Sequence, residues 1–208
     1  MSIWFSISVL GLLIAVYLHV KSVQHTKLKE KFGVEIGEKR GINLAKASGW
    51  LESICLVGIW VSPQPIFFIH FYQIGSFDLF GHSISLIQIL PSAFFILLGI
   101  WFGIRGLMEV GFEVADSHKI PKKLQTSGVY SYVRHPQYFG WFMAHIGFSI
   151  LLSVQYSLLF TPALFVIIYI ISRAEERDLE EAFGEEYYDY KLKVPMLIPK
   201  IDKIIRRA

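Results

Sequence analysis

The chain reads as an all-α, polytopic integral membrane protein of about five transmembrane helices, the last two forming a C-terminal helical hairpin. Three observations predict this: an excess of apolar surface, five long stretches nearly free of charge, and a lopsided placement of basic residues. Of 208 residues, 53% are hydrophobic and 15% aromatic, and the mean hydropathy is +0.47. A soluble domain of this length could not bury so much apolar surface, so lipid is the expected solvent. One domain is expected over 1–208, with N-terminal helices in 1–105 and a second half in 106–208.

A helix needs about 17 to 25 mostly uncharged residues to cross the hydrocarbon core. Ser2–Val20 is the first such stretch; no basic segment or small-residue cleavage site precedes it, which makes it a retained span and not a signal peptide. Leu44–Val61 is the second and contains Glu52, the only acid inside any of the five. That position makes Glu52 either a functional group or a carboxylate that snorkels to the nearby interface. Ile84–Ile104 is the third, with Pro91, and Tyr138–Val154 the fourth. Gln155–Ser172 is the fifth, with Pro162; both prolines are tolerated as kinks because packed neighbours can satisfy the freed carbonyls. The fourth and fifth spans are separated only around Ser153 to Ser157, so they predict a tight antiparallel pair whose outer ends share one side. Pro65–Ile74 is apolar but too short to cross, and reads as an interfacial stretch. Cys55, the single cysteine, lies in the second span and predicts a buried thiol with no disulfide framework.

The basic residues decide orientation. Seven lie between the first and second spans, counting Lys46 at the membrane boundary, five between the third and fourth, and eight after the fifth, which accounts for all twenty. The positive-inside rule then puts the N-terminus outside and the C-terminus in the cytoplasm. The formal net charge of +3 comes with 17 acids, so it gives no argument for nucleic acid; anionic head groups and topology explain the distribution better. The tail Lys200-Ile-Asp-Lys-Ile-Ile-Arg-Arg207 suits either a surface-lying helix or a solvated tail.

Residues with chemistry to offer collect on either side of the hairpin. Arg134-His135-Pro136 starts the fourth span, with proline placed for the first helical position. The tripeptide presents an imidazole and main-chain donors at the membrane boundary; its plainer reading is a helix start with a snorkelling arginine. Beyond the fifth span, Arg173–Phe183 reads as a helix leaving the membrane, with Gly184 as an αL C-cap. Glu175 and Glu176 lie in its first turn below the bilayer, where a carboxylate near apolar surface needs a partner, such as a cationic ligand group. Arg105, Glu109 and Glu113 recur every four residues and predict a salt-bridged helical face. His70 and His82 have only Asp78 nearby and no short ligand spacing, so no metal site is expected.

Taken together, Gly128-x-Tyr130, Arg134-His135-Pro136-x-Tyr138-x-Gly140, the apolar hairpin, Glu175-Glu176, Phe183-Gly184-x-Glu186-Tyr187-x-x-Tyr190 and Val194-Pro195-x-x-Ile198-Pro199 resemble the isoprenylcysteine carboxyl methyltransferase family and its prokaryotic relatives. The resemblance covers roughly the last 85 residues, and the set is more specific than any of its pieces. It implies a cytoplasmic pocket in the C-terminal half that binds S-adenosylmethionine, and a lipophilic or lipidated acceptor that arrives from the bilayer. Carried over by position, the cofactor would meet Lys122, Lys123, Leu124, Gln125, Tyr130, His135, Pro136, Gln137, Tyr138 and Glu175. Glu175 would face its ammonium or ribose, His135 its carboxylate, and Tyr130 with Tyr138 its adenine.

Arg173 and Glu176 are the implied catalytic pair. Family members place an arginine four residues before the first glutamate; this chain has Ile171 there and Arg173 two residues before Glu175. A carboxylate acceptor is already ionised and needs only a cation such as Arg173, whereas an amine or thiol must lose a proton, which would hand Glu176 or His135 a base role. The prenylcysteine carboxylate, a phospholipid amine and a thiol all stay open as acceptors. So do two other classes: a steroid-reductase-like membrane enzyme using a nicotinamide cofactor, and a non-catalytic scaffold.

Overall fold

The computed structural model describes residues 2–67, 75–79, 82–117 and 120–199. His70 and the tail from Lys200 onward, each part of an expectation above, lie outside them. The elements are α1 (Ile3–Ser22), α2 (His25–Phe32), α3 (Val34–Val61), β1 (Ser76–Leu79), β2 (His82–Ser85), α4 (Leu86–Val110), α5 (Phe112–Ser117), a short 3₁₀ turn (Gly128–Ser131), α6 (Pro136–Leu151), α7 (Gln155–Phe183) and α8 (Glu185–Lys193). The two strands make one small antiparallel hairpin, with Ser76 opposite Ser85 and Leu79 opposite His82. Among the described residues the remaining elements are helices, as the apolar runs require: in lipid a segment must satisfy its own backbone.

Among the described residues, four helices are long and apolar enough to cross a membrane: α1, α3, α4 and α7. The expected fourth span, Tyr138–Val154, is realised as α6, which has only 16 residues and falls short of a full crossing length. Its ends are set locally. Pro136 occupies the first helical position with His135 as N-cap, and the chain reverses at Ser153, whose φ is +54°. The expected tight hairpin is therefore present, with α6 and α7 joined through residues 152–154.

Small residues bring α6 against α4. A Cβ on Gly99 would lie 2.5 Å from the Gly140 carbonyl oxygen, and one on Gly140 2.7 Å from the Gly103 nitrogen, so the two backbones touch where side chains would stand. The main apolar core is built by α1, α3 and α7, around Phe5, Leu12, Leu56, Ile59, Leu164, Ile168 and Ile171, and it includes the buried Cys55. Leu10, Leu90, Leu97 and Leu159 face outward, as a lipid-solvated surface requires.

Several local expectations change. α3 begins ten residues before the apolar run, at Val34, and α4 begins at Leu86 because β2 takes the residues before it. Glu52 does not snorkel: it is buried and contacts His19 of α1. Gly111, with φ +93°, ends α4, so Glu113 falls on α5; Arg105 and Glu109 remain paired at 3.6 Å. The helix predicted at Arg173 is the continuous end of α7. Gly184 stops it with φ +51° and ψ −125°, outside the αL region. Of the stretch Pro65–Ile74, the described part ties to the hairpin tip, where Phe67 N–H donates to Ser153 O at 2.9 Å and Gln155 N–H to Pro65 O at 3.0 Å.

Candidate functional site

Up-and-down packing places the C-terminal end of α1, the ends of α4 and α7 and the start of α6 at one end of the bundle. A cavity of about 430 Å³ opens there. Its walls come from α1 and α3 (His19, Lys46, Trp50, Glu52), from the segment after α5 (Pro121, Leu124, Gln125) and from the start of α6 (Arg134 to Tyr138). Tyr130, Trp141, Glu175, Asp178, Tyr187 and Tyr190 complete them.

The start of α6 is held by the chain that follows α8. Arg134 N–H donates to Pro195 O at 2.9 Å and His135 N–H to Met196 O at 3.1 Å, which gives the Val194-Pro195 motif its structural purpose. These two main-chain donors are thus engaged and not free for a ligand, as the sequence had suggested. Arg134 does not snorkel either. Its Nε donates to Glu176 at 2.7 Å and its Nη1 to the carbonyl oxygens of Lys191 and Val194, so one guanidinium fastens α6, α7 and α8 together. Tyr190 adds a bond from its hydroxyl to Tyr130 O at 2.6 Å.

Glu175 is the carboxylate of the Glu175-Glu176 pair that reaches the cavity. Tyr138 Oη donates to its Oε1, His19 Nε2 lies 3.1 Å from the same oxygen, and His135 Nδ1 lies 3.4 Å from Oε2. On the other side of His19, Nδ1 meets Glu52 Oε1 at 2.9 Å. A carboxylate oxygen brings no hydrogen to such a contact, so the two carboxylates favour a proton on each ring nitrogen of His19, while Tyr138 Oη also lies 3.2 Å from Nε2. His135 stacks on Tyr138 with ring centroids 5.7 Å apart, and its Nε2 lies 3.4 Å from Glu176 without hydrogen-bond alignment. Burial works against a charge on His135, but Glu175 and Glu176 outweigh it and hold its pKa above the ordinary imidazole value. Burial first, and nearby carboxylates second, push the Tyr130 and Tyr187 phenols well up, so both are neutral hydroxyls.

The structure gathers Leu124, Gln125, Tyr130, His135, Pro136, Gln137, Tyr138 and Glu175 around one cavity. Lys122 and Lys123 are exposed and do not line it. Glu176 does not line it either. It is fully buried behind Glu175, with Arg134 at 2.7 Å, Arg173 at 3.4 Å and Lys191 at 3.9 Å. Arg173 is half exposed and turned toward Glu176, away from the cavity lining. Three polar wall residues were missed: His19, the His19 contact of Glu52, and Arg134 as an inward ion pair. The signal was present in part, because an ionisable residue in a span calls for a partner in another span, and His19 was the imidazole available.

The donor set fits a cationic ligand. Glu52, Glu175 and Asp178 line the cavity beside aromatic walls, which suits the sulfonium, ammonium and adenine of S-adenosylmethionine.

Comparison with known proteins places these features. Residues 87–186 match a family model described as phospholipid methyltransferase. A methanethiol S-methyltransferase of Crocosphaera subtropica is 36% identical over 102 residues, covering 49% of this chain and 39% of that protein. Protein-S-isoprenylcysteine O-methyltransferases are 43% identical over 90 residues in Xenopus laevis and 40% over 96 residues in Homo sapiens, each match covering 43% of this chain and 30% of the relative. The chain thus matches well under half the length of these curated relatives. A helical membrane fold with a cavity built by this motif set defines a class of integral membrane protein. Within that class, the second half of the chain is similar to the protein-S-isoprenylcysteine O-methyltransferases and the methanethiol S-methyltransferases.

Proposed function

We propose that this protein is an S-adenosylmethionine-dependent methyltransferase of the membrane, with its C-terminus and active site on the cytoplasmic side and a lipophilic acceptor drawn from the bilayer. The observation that carries the reading is the position of Glu175. It lines an aromatic cavity and is held by Tyr138, His19 and His135, all on one carboxylate. Glu175 would hold the cofactor's ammonium or ribose hydroxyls, and Tyr130, Gln125 and Leu124 its adenosine. The cofactor supplies an activated methyl group. The protein's task is to orient the acceptor, exclude water and offset charge. Tyr138 also lines a second, almost wholly apolar cavity of about 190 Å³ with Phe139, Phe142, Met143, Phe165 and Leu197, which suits the aliphatic part of an acceptor.

The acceptor has two readings. A prenylcysteine-like carboxylate is suggested by the isoprenylcysteine relatives and would need a cation in the cavity, the role expected of Arg173. Arg173 is paired with Glu176 outside the cavity, and Arg134 spends its donors on Glu176 and carbonyl oxygens. With Arg173 outside the cavity and Arg134 engaged, Lys46 is the lysine left on the walls beside Glu52, Glu175 and Asp178, and a neutral acceptor, such as the thiol of the methanethiol relatives, needs no such cation.

Calorimetric titration of the detergent-purified protein with S-adenosylhomocysteine tests the cofactor reading. Binding is expected in the wild type and weakened by about tenfold or more in folded Glu175→Ala and His135→Ala variants, as loss of a charge-assisted hydrogen bond implies. No binding by folded wild-type protein, with or without a prenylcysteine or thiol acceptor, would sink it.

A further inference from the structure

The N-terminal wall of the cavity lies outside the region that matches the family, yet it carries the contact that closes the charge cluster. Glu52 of α3, His19 of α1, Glu175 of α7 and His135 at the start of α6 follow one another at 2.9, 3.1 and 3.4 Å, and Glu176 with Arg134 completes the series. Within this series alone, three carboxylates, one guanidinium and two imidazoles balance when both imidazoles are protonated. Other charged or titratable groups stand on the walls and at the rim. Arg173 and Lys191 face Glu176, and Lys191 also binds Glu180. Asp178 faces His25 of α2, and Tyr138, Tyr130 and Tyr187 face the carboxylates as neutral hydroxyls. Lys46 and Cys55 share α3 with Glu52.

We propose that the Glu52–His19 pair is the proton acceptor of the reaction: His19 gives up its Nε2 proton when a cationic cofactor enters the cavity and regains one from a protic acceptor, a thiol, during methyl transfer. The proposal rests on the methyltransferase reading. It follows from charge balance in a site of low polarity, where an uncompensated charge is costly. A cluster that is neutral with both imidazoles protonated gains one positive charge when a sulfonium arrives beside it. Expelling a proton from the imidazolium that lines the cavity restores neutrality and leaves Nε2 with a lone pair, while Nδ1–H stays on Glu52. Deprotonating a thiol then costs little, because its ordinary pKa is about 8.5.

The accounting closes. The acceptor sulfur forms a bond to the methyl carbon; the old carbon–sulfur bond breaks, leaving its pair on the sulfonium sulfur. The acceptor's proton goes to His19, so the cavity ends with the charge it began with. A carboxylate acceptor carries no such proton and would leave His19 without a role in the transfer.

The test needs no turnover. The full-length detergent-solubilised protein is titrated at neutral pH with S-adenosylmethionine and, separately, with S-adenosylhomocysteine, which lacks the sulfonium charge. Each titration is repeated in buffers of different ionisation enthalpy, so that the slope of heat against that enthalpy counts protons. The wild type is expected to release about one more proton on binding the charged ligand. Folded His19→Gln and Glu52→Gln variants, checked by circular dichroism, are expected to bind both ligands and lose that difference. Equal proton counts for both ligands in the wild type, or a difference that survives in both variants, would overturn the proposal. Failure of the folded wild type to bind either ligand would instead overturn the methyltransferase reading beneath it.

Discussion

Two buried histidine networks stand at opposite ends of the bundle, and they solve different problems. At the hairpin end, His145 is fully buried. Its Nδ1 accepts from Trp60 Nε1–H at 3.1 Å, and its Nε2–H donates to Ser157 O at 3.1 Å. One nitrogen must be bare and the other protonated, so the ring is a neutral tautomer. Its surroundings are neutral too: Ser149 with Ser157 at 2.7 Å, Gln64 accepting from Ser157 N–H at 2.8 Å, and Gln88 on Ser153. At the other end, His19 and His135 sit between carboxylates beside a cavity. The same side chain, equally buried, ties a turn together in one place and carries charge in the other. Whether its neighbours are carbonyls or carboxylates decides which.

The largest effect expected from disturbing this contrast is at Arg134. Arg134→Ala would leave Glu176 fully buried and partly uncompensated, with an expected loss of about 3 kcal/mol, read by thermal unfolding in detergent. A loss near zero would mean that Arg173 and Lys191 suffice. Glu175→Ala should act on binding: about 2 kcal/mol of S-adenosylhomocysteine affinity is expected to vanish, by calorimetry, while the unfolding temperature changes less than in Arg134→Ala. His145→Ala should do the reverse. Leaving Trp60 Nε1–H and Ser157 O without partners is expected to cost about 1 to 3 kcal/mol of stability and to leave ligand affinity unchanged.

The smallest effect is one of pH. Because the pKa of His135 is raised in the folded protein, its contribution is fully present below the ordinary imidazole value, about 6.5, and is lost as pH rises through the folded value. Unfolding temperature should therefore fall across mildly alkaline pH in the wild type, and less so in a His135→Gln variant. The Trp60–His145–Ser157 network should add no slope in that range. A His145→Ala protein whose alkaline slope differed from the wild type would break the comparison.

Much of this was legible beforehand, for identifiable reasons. Apolar runs announce helices in lipid because no other open segment can satisfy its backbone there, and Pro136 announced the start of α6 because its ring presets the first helical residue. The short α6 was less legible, since the apolar character of Leu152 and Val154 continues past the turn at Ser153 that ends it. Glu175 could be read from its place in the motif. Glu176, its neighbour, reads the same way in sequence, yet one residue along a helix rotates a side chain by about 100°. That rotation separates a carboxylate on the cavity wall from one sealed behind it among Arg134, Arg173 and Lys191.

By itself, then, the amino-acid order determined the membrane solvent, the helical class, the hairpin and the motif set that carries the family resemblance, because hydropathy, proline and charge counts act locally along the chain. Only the tertiary structure decided which ionisable groups meet. His19, Glu52 and Glu175 are 33 and 156 residues apart in pairs that touch, and no local rule links them. Helix packing brings them within hydrogen-bonding distance, and burial there is what obliges the carboxylates to find the imidazole.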